Sequence, residues 1–299
     1  MEQLDNYWRF QTSKQKTLRQ PIWCRGVCLH SGLISEVHLV PSDVNTGIVF
    51  HLMNDAGKLN SIVPATIDYT HSGMLRTVLK NDNATVETTE HLLAALSAYG
   101  IRNLIIKVWG NEVPIFEGSA NSWAFLIDCA GVIDQDQDVS FIKVIKSVVV
   151  TQGNSWCRLD PYEGHKFTYE ISYDHPMIGD RVFSIDVTKN TFDKELSKAR
   201  TFGFFKDFEA IQSHGLAKGA SLKNTVVFYE DGLMKMNMFW DDEPVRHKVV
   251  DAIGDLSLAG FPIIGKFYGY RSGHELNQQL VKTLLIDKTS WIKSSFLNI

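Results

Sequence analysis

Cysteine, net charge and long apolar runs are all scarce in this sequence. Its 299 residues include only 4 cysteines, and 30 Lys+Arg against 34 Asp+Glu leave a formal charge of −4. So few cysteines exclude a disulfide-rich secreted scaffold and favour a reducing, cytoplasmic location. Without a positive excess, a nucleic-acid partner is not expected.

Apolar residues are plentiful but never continue for long. The most apolar stretches, 103–109 and 141–150, fall well short of the ~20 residues that span a bilayer, and the polar first residues lack a secretory signal core. With 44% hydrophobic residues and 11% aromatics, the chain can fill two cores, which its length also suggests at about 100–200 residues per domain. We therefore expect a soluble two-domain protein without stable membrane insertion.

The hydrophobic period changes along the first half. Alternation and turn residues across 22–50 predict strands. From Thr88 onward apolar residues recur at helical spacing, which predicts a helix with Thr88 or Thr89 as N-cap and Gly100 at its end. A strand at 103–109 and a helix capped by Ser119 follow.

The second half repeats this order. Pro244 begins a helix that ends near Gly260, a strand covers 263–270, and another helix follows the turn Arg271-Ser272-Gly273. Strands followed by helices predict an α+β fold of tandem two-layer sandwiches, with helices on one face of mainly antiparallel sheets.

The acidic run Asp134–Asp138 is predicted to link the two domains, because so polar a segment does not pack into a core. The first domain would then cover 16–133 and the second 139–299, and residues 1–15 form an extension to which no role is assigned. Cys24 and Cys28 are spaced like half of a zinc site, but no second pair follows, so structural cysteines are predicted.

The segment Arg246–Asp255 concentrates titratable groups on one predicted helix. His247 and Asp251 are four residues apart on the same face, so an imidazole nitrogen and a carboxylate oxygen can meet at one cation. Asp255 lies another turn along, as an outer partner. A solvent-facing amphipathic helix has the same spacing, so spacing alone leaves both interpretations open.

A second acid and imidazole, Glu90 and His91, begin the corresponding helix of the first half. If the halves pack helix against helix, His91 becomes a third ligand beside His247 and Asp251 and leaves one position of a tetrahedral zinc for water. Glu90 would then stand beside that water as general base. An acidic residue favoured by the helix dipole is the plain alternative.

Two further histidines are predicted on turns. The turn before His274 places it at a helix N-terminus facing a cleft, and Gly26 and Gly32 suggest a tight turn that presents His30. Ordinary surface histidines fit both patterns equally well.

Taken together, these segments resemble the UDP-3-O-acyl-N-acetylglucosamine deacetylase family, the zinc amidases of lipid A biosynthesis. The resemblance covers the chain from about Thr17 onward and rests on motifs in a fixed order. They are GVxLHSG at Gly26–Gly32, TxEHLLAAL at Thr88–Leu96, EVPIxxGSA at Glu112–Ala120, ARTFGF at Ala199–Phe204, GLAxGxSL at Gly215–Leu222, RHKxxDAIGDL at Arg246–Leu256 and SGHxLN at Ser272–Asn277.

The resemblance implies two α+β domains with their helix layers face to face, an inserted element in each and the metal between them. His91, His247 and Asp251 would bind zinc, although the same donors accept ferrous iron. Glu90 would be the general base, and His274 would protonate the leaving amine. The partner would be the UDP-linked acylated amino sugar, and the protein is predicted to act as a monomer.

Further roles follow from the same resemblance. Thr201 would donate to the developing oxyanion with support from Lys248, and Asp255 would favour the charged form of His274. Arg271 would contact the UDP diphosphate. The remaining substrate contacts would be His30 and an apolar acyl-chain passage formed by Phe202, Phe208, Ala217, Ser221 and Val227.

Some positions depart from the family pattern, and none is a predicted metal ligand, base or acid. They are Cys28, Thr89, Glu117, Ala220 and Lys223. Because Ala220 and Lys223 lie near the expected passage, a zinc amidase acting on another N-acyl sugar is a second hypothesis. A catalytically silent ligand-binding paralogue, suggested by the unusual N-terminus and the altered turns, is a third.

Overall fold

A computed structural model describes residues 14–230, 232–233 and 237–295. Helices and strands are mixed along the chain, which confirms the α+β class. The α-helices are α1 (Glu90–Ala98), α2 (Asn121–Ala130), α3 (Lys189–Glu195), α4 (Phe208–Ser213), α5 (Glu243–Ser257) and α6 (His274–Ile286), and short 3-10 helices lie at Ile67–Tyr69 and Phe205–Asp207.

The strands cover more of the chain than the helices. In chain order they are β1 (Lys14–Leu18), β2 (Ile22–Val27), β3 (Ile34–Pro41), β4 (Ile48–Met53), β5 (Leu59–Pro64), β6 (Thr70–His71), β7 (Val78–Lys80), β8 (Thr85–Glu87), β9 (Leu104–Trp109), β10 (Val132–Asp138), β11 (Ser140–Val144), β12 (Val148–Gln152), β13 (Ser155–Asp160), β14 (His165–Tyr173), β15 (Gly179–Asp186), β16 (Phe202–Phe204), β17 (Val226–Tyr229), β18 (Gly232–Leu233), β19 (Ile263–Tyr270) and β20 (Trp291–Ser295).

Two large sheets carry the fold. The first has the order β2-β3-β9-β4-β5, and the second has the order β12-β13-β19-β11-β20, with β14 also paired to β19 and β15 paired to β14. Most neighbours are antiparallel, as predicted, but β4 runs parallel to β9, and both β11 and β14 run parallel to β19. Along β9 buried Leu104, Ile106 and Val108 alternate with less buried residues, because successive side chains of a strand point to opposite faces.

The predicted repetition of helix, strand and helix is present. It consists of α1, β9 and α2 in the first half and of α5, β19 and α6 in the second. Helices α1 and α5 pack against each other, and buried side chains of both halves belong to one continuous apolar cluster. The two motif-bearing helices are therefore held close together by the core.

The acidic run between the halves is part of a strand, not an unpaired linker. β10 pairs antiparallel with β1, and Lys14 Nζ lies 3.3 Å from Asp136 and 3.1 Å from Asp138. The pairing satisfies the backbone groups of the polar run, and opposite charges across the strands add modest stability. Residues 14–15 of the predicted extension thus belong to the fold, whereas 1–13 lie outside the described residues.

Helix α1 begins without the predicted side-chain cap. Thr89 is the N-cap residue but makes no capping hydrogen bond, and the hydroxyl of Thr88 donates instead to Glu112 Oε1 at 2.9 Å. Gly100 ends the helix with a φ of 72°, as predicted. Throughout the described parts of the chain, no helix is both long and apolar enough to cross a bilayer.

Candidate active site

Three predicted ligands converge where α1 meets α5. The candidate ligand atoms of His91, His247 and Asp251 all lie within 4.8 Å of one another, and all three residues are buried. Asp251 Oδ1 is 3.3 Å from His247 Nε2 and 3.6 Å from His91 Nε2. Two imidazoles and a carboxylate at this spacing are a donor set that divalent zinc or iron accepts.

The ring of His247 is held in the form that a metal requires. Its Nδ1 lies 2.9 Å from the carbonyl oxygen of Ala199, which only accepts, so Nδ1 carries the proton and Nε2 keeps a free lone pair. Burial lowers the pKa of His247 to about 3, so the ring is neutral. The free lone pair of Nε2 faces the cluster of His91, His247 and Asp251, and these three residues therefore fit a cation.

A lysine compensates the buried carboxylate of this cluster. Burial opposes ionisation of Asp251, but the ammonium of Lys248 holds the pKa of Asp251 well below its usual range. Lys248 Nζ lies 2.8 Å from Asp251 Oδ2. Burial alone would lower the pKa of Lys248, but the facing carboxylate raises it. Lys248 is thus a fixed positive charge beside the cluster.

Glu90 stands next to this cluster, one residue before His91. Its side chain is buried, and burial raises its pKa above the usual range of a glutamate. Its Oε2 accepts a hydrogen bond from the main-chain N–H of Thr77 at 3.1 Å. A carboxylate with a raised pKa is suited to take a proton near neutral pH.

Gly254 determines how closely α5 approaches Glu90. A Cβ on Gly254 would fall inside contact distance of the carbonyl oxygen of Glu90. We expect Gly254→Ala to lower the free energy of unfolding by about 1–3 kcal/mol, because the two helices must separate. Thermal unfolding measures this. Gly203→Ala is the matched control, since no atom of the described residues lies within 4 Å of a Cβ there, and equal loss in both variants would contradict the expectation.

His274 and Asp255 form a second titratable pair beside the cluster. His274 Nδ1 lies 3.0 Å from Asp255 Oδ2, and Asn277 Nδ2 donates to the same oxygen at 2.9 Å. Burial alone would favour the neutral ring, yet the Asp255 carboxylate raises the pKa of His274 to about 9. The imidazolium is therefore the dominant form at neutral pH.

These groups open into one cavity with a volume of about 580 Å³, a size typical of small-ligand sites. Asp255 is the one predicted site residue outside its lining, because it is fully buried behind His274. The predicted residues that line it are His30, Glu90, His91, Thr201, Phe202, Phe208, Ala217, Ser221, Val227, His247, Lys248, Asp251, Arg271 and His274.

Phe202 joins the polar and apolar parts of the cavity. Its ring centroid is 6.4 Å from that of His247 and 6.1 Å from that of Phe228. The preceding Thr201 is fixed by its main chain, since its N–H donates to Gly118 at 2.7 Å and its carbonyl accepts from Val226 at 2.9 Å. The Thr201 side chain thus lines the cavity from a rigid position.

His30 has the environment of a ligand-binding side chain. Its ring is buried, and neither ring nitrogen has a hydrogen-bond partner among the described residues. The turn is held by Glu112, whose carboxylate accepts from the N–H groups of His30 at 2.8 Å and Ser31 at 2.9 Å. Burial lowers the pKa of His30 to about 4, so the neutral ring offers both a donor and an acceptor.

The positions that depart from the family pattern leave this geometry intact. Cys28 is buried, with its Sγ donating to the carbonyl oxygen of Glu112 at 3.3 Å, and Glu117 accepts from Ser119 Oγ at 2.6 Å. Ala220 lines the cavity, and Lys223, three residues later, is exposed. All four cysteines are free, as predicted, but Cys129 is exposed.

Two residues that sequence reasoning missed hold the site together. Thr77 contacts both Glu90 and Asp255, and Glu243 binds Arg200 Nε at 2.8 Å, beside the segment that supports His247. Neither belongs to a spacing pattern with its partner, since 178 residues separate Thr77 from Asp255. Packing of the two halves brings Thr77 to Asp255, and folding within the second half brings Glu243 to Arg200.

Comparison with known proteins agrees with the motifs. The family model described as LpxC: UDP-3-O-acyl N-acetylglycosamine deacetylase matches residues 15–286. Proteins named UDP-3-O-acyl-N-acetylglucosamine deacetylase from Brucella melitensis biotype 2, Brucella ovis and Brucella suis are each 43% identical over 279 residues, covering 93% of this chain and 97% of the relative. The resemblance seen in the sequence is confirmed, and the chain belongs to the UDP-3-O-acyl N-acetylglycosamine deacetylase family.

Proposed function

We propose that this protein hydrolyses the N-acetyl group of UDP-3-O-(3-hydroxyacyl)-N-acetylglucosamine, an early committed step of lipid A biosynthesis. The products are acetate and the free 2-amine. The observation that carries the proposal is the meeting of His91, His247 and Asp251 with Glu90 and His274 at one cavity, in a chain of this family. We further propose a cytoplasmic monomer, as expected from the sequence.

The metal site that we propose consists of His91, His247 and Asp251. Zinc is our first assignment and ferrous iron the alternative, because both accept two imidazoles and a carboxylate. When bound, such an ion acidifies a coordinated water and polarises a carbonyl. The proton of His247 Nδ1 donates to Ala199, which keeps that ring oriented toward the site.

The acid and base roles follow from the protonation states of two buried groups. Glu90 takes a proton from the attacking water, since it is a carboxylate whose pKa burial brings closer to neutral. His274 gives a proton to the departing nitrogen, because Asp255 keeps its ring charged. Expulsion of an amine requires this donor, since a free amide anion is a very poor leaving group.

Two polar groups are placed to stabilise the oxygen of the scissile amide. Thr201 and Lys248 both line the cavity, and the ammonium of Lys248 stays within 2.8 Å of Asp251. Donors held in advance stabilise developing charge without reorganisation. We assign the oxyanion contact to Thr201, with Lys248 supporting it.

The other residues that line the cavity are assigned to the rest of the substrate. Arg271 would bind the diphosphate, for which a guanidinium offers bidentate donors, and the unpartnered ring of His30 would contact the polar head. The acyl chain would occupy the apolar part. The residues assigned to that passage are Phe202, Phe208, Ala217, Ser221 and Val227.

Acetate release from the acylated UDP sugar tests the function. We expect about one divalent metal ion per chain, acetate release that stops on chelation, and recovery when zinc is restored. A protein without stoichiometric metal, or without turnover above background, would contradict the proposal. The second outcome would favour the silent paralogue suggested by the sequence.

A different N-acyl sugar is the second candidate substrate, because Ala220 lines the cavity where the family carries a second glycine. Rates on matched substrates with and without the 3-O-acyl chain distinguish the two. Loss of activity without the chain supports the acylated substrate, whereas equal rates support the alternative.

A larger side chain in the passage is expected to shorten the acyl chain that is accepted. Val227 lies on β17 and lines the cavity, so Val227→Phe would raise KM for a long acyl chain by about 10-fold or more, since lost apolar contacts are worth about 1–3 kcal/mol. KM for a short chain should change little. Equal effects on both lengths would place the acyl chain elsewhere.

A further inference from the structure

Thr77 is a fully buried residue immediately before β7. It does not line the cavity, yet it contacts both of the titratable groups that the proposed reaction uses. Its main chain faces Glu90, which starts α1 in the first half of the chain. Its side chain faces Asp255 and His274, which belong to α5 and α6 in the second half.

The main chain of Thr77 fixes the carboxylate of Glu90. The N–H of Thr77 donates to Glu90 Oε2 at 3.1 Å, and its carbonyl oxygen accepts from the N–H of Thr88 at 3.0 Å. Thr88 has a φ of 59°, an uncommon backbone conformation for a β-branched residue. The segment around Thr77 therefore sets both the start of α1 and the direction of the Glu90 side chain.

The hydroxyl of Thr77 fixes the other pair. It donates to Asp255 Oδ1 at 2.6 Å and accepts from Gln278 Nε2 at 3.3 Å. Asn277 Nδ2 donates to the second oxygen, Oδ2, at 2.9 Å. With both oxygens held, the Asp255 carboxylate cannot rotate, and its plane decides where the ring of His274 points.

The hydrogen bonds also select which nitrogen of His274 can act. Nδ1 lies 3.0 Å from Asp255 Oδ2 and 3.2 Å from Thr77 Oγ1. Because the hydroxyl proton is already donated to Asp255, the short contacts of Nδ1 are those of an N–H donor. Nε2 is then the nitrogen that carries the exchangeable proton into the cavity.

We propose that Thr77 is a positioning residue that sets the relative placement of Glu90 and of the Asp255–His274 pair. The proposal rests on the function proposed above, in which one group removes a proton and the other delivers it to the same substrate. Two groups that act on one bound molecule must keep a fixed separation, and small displacements lower the rate strongly. A single buried residue that bonds to both provides that constraint.

The test compares Thr77→Val with Thr77→Ser in the zinc-loaded protein. Valine keeps the shape but removes the hydroxyl, so kcat should fall by about 10- to 100-fold while KM stays within about twofold. Serine keeps the hydroxyl, and kcat should remain within about threefold of wild type. The second readout is the downfield Nδ1 proton of His274 in the NMR spectrum, assigned by its loss in Asp255→Asn, which should persist in Thr77→Ser and weaken in Thr77→Val.

Several outcomes would overturn the proposal. One is a Thr77→Val protein with wild-type kcat and an intact proton resonance. Another is a Thr77→Ser protein as impaired as Thr77→Val, since lost packing of the threonine methyl group would then explain the lower kcat. Should Thr77→Val not fold, Gln278→Met removes only the donor to Oγ1, and wild-type values of both readouts there would also overturn it. If wild-type protein released no acetate, the proposed function would fail, but the resonance would still report on Thr77.

Discussion

Glu90→Gln is expected to lower kcat by roughly 10²–10⁴-fold, the range over which a positioned general base contributes. The amide has nearly the same shape as the carboxylate and can still accept from the N–H of Thr77 through its oxygen. It cannot take a proton from water. The loss should therefore appear in kcat, with KM nearly unchanged, because the substrate still meets the same cavity wall.

Metal content separates this effect from damage to the neighbouring ligands. Glu90 precedes His91 in α1, so a distorted helix start would also release the ion, whereas a pure loss of the base would leave about one ion per chain. Glu87→Gln is the matched control, since Glu87 is a nearby carboxylate that pairs with Arg76 at 2.8 Å. Near-normal kcat in Glu90→Gln would exclude Glu90 as the base.

Much of this site could be predicted from the sequence because its groups lie close together along the chain. His247 and Asp251 are one helical turn apart, and helix geometry alone places them on one face. Pro244 and Gly100 also mark helix ends by local chemistry that needs no tertiary contact. The strand of β19 was predicted with its observed bounds for the same reason.

Other features depend on contacts that no local pattern contains. The acidic run before β11 was predicted as a linker on its polarity, but β1 supplies both the backbone partners and the lysines that neutralise it. Thr77 contacts Asp255 across 178 residues, and Gly254 matters because Glu90 approaches it from another helix. Such partners become visible only in the folded chain.

The modest net charge of the chain is compatible with positive charge concentrated in the cavity. A formal charge of −4 offers no general attraction for an anionic substrate. Within the cavity, however, Lys248 carries a charge that the facing Asp251 stabilises, and His274 is kept cationic by Asp255. Electrostatic complementarity to a UDP sugar thus depends on a few buried groups at short range, whose charge interactions are strengthened by the low local dielectric.

The pH dependence of the reaction should depend on one of these groups. If His274 acts as the acid, only its protonated form is active, so the rate must fall as the pH rises through its pKa of about 9. Asp255 raises that pKa, with the Asp251 and Glu90 carboxylates adding to it. Asp255→Asn removes the largest of these effects and should move the basic limb to lower pH, which also lowers the rate at neutral pH.

Profiles of kcat between about pH 6 and about pH 10 measure this limb. His274→Gln should abolish it and lower kcat by roughly 10²–10⁴-fold, because the amide cannot donate the proton that the leaving amine needs. His214→Gln is the control, since His214 is exposed and does not line the cavity. If the basic limb does not move in Asp255→Asn, it belongs to a different group. Asp255, buried behind His274, would then stabilise the fold rather than support the proton transfer.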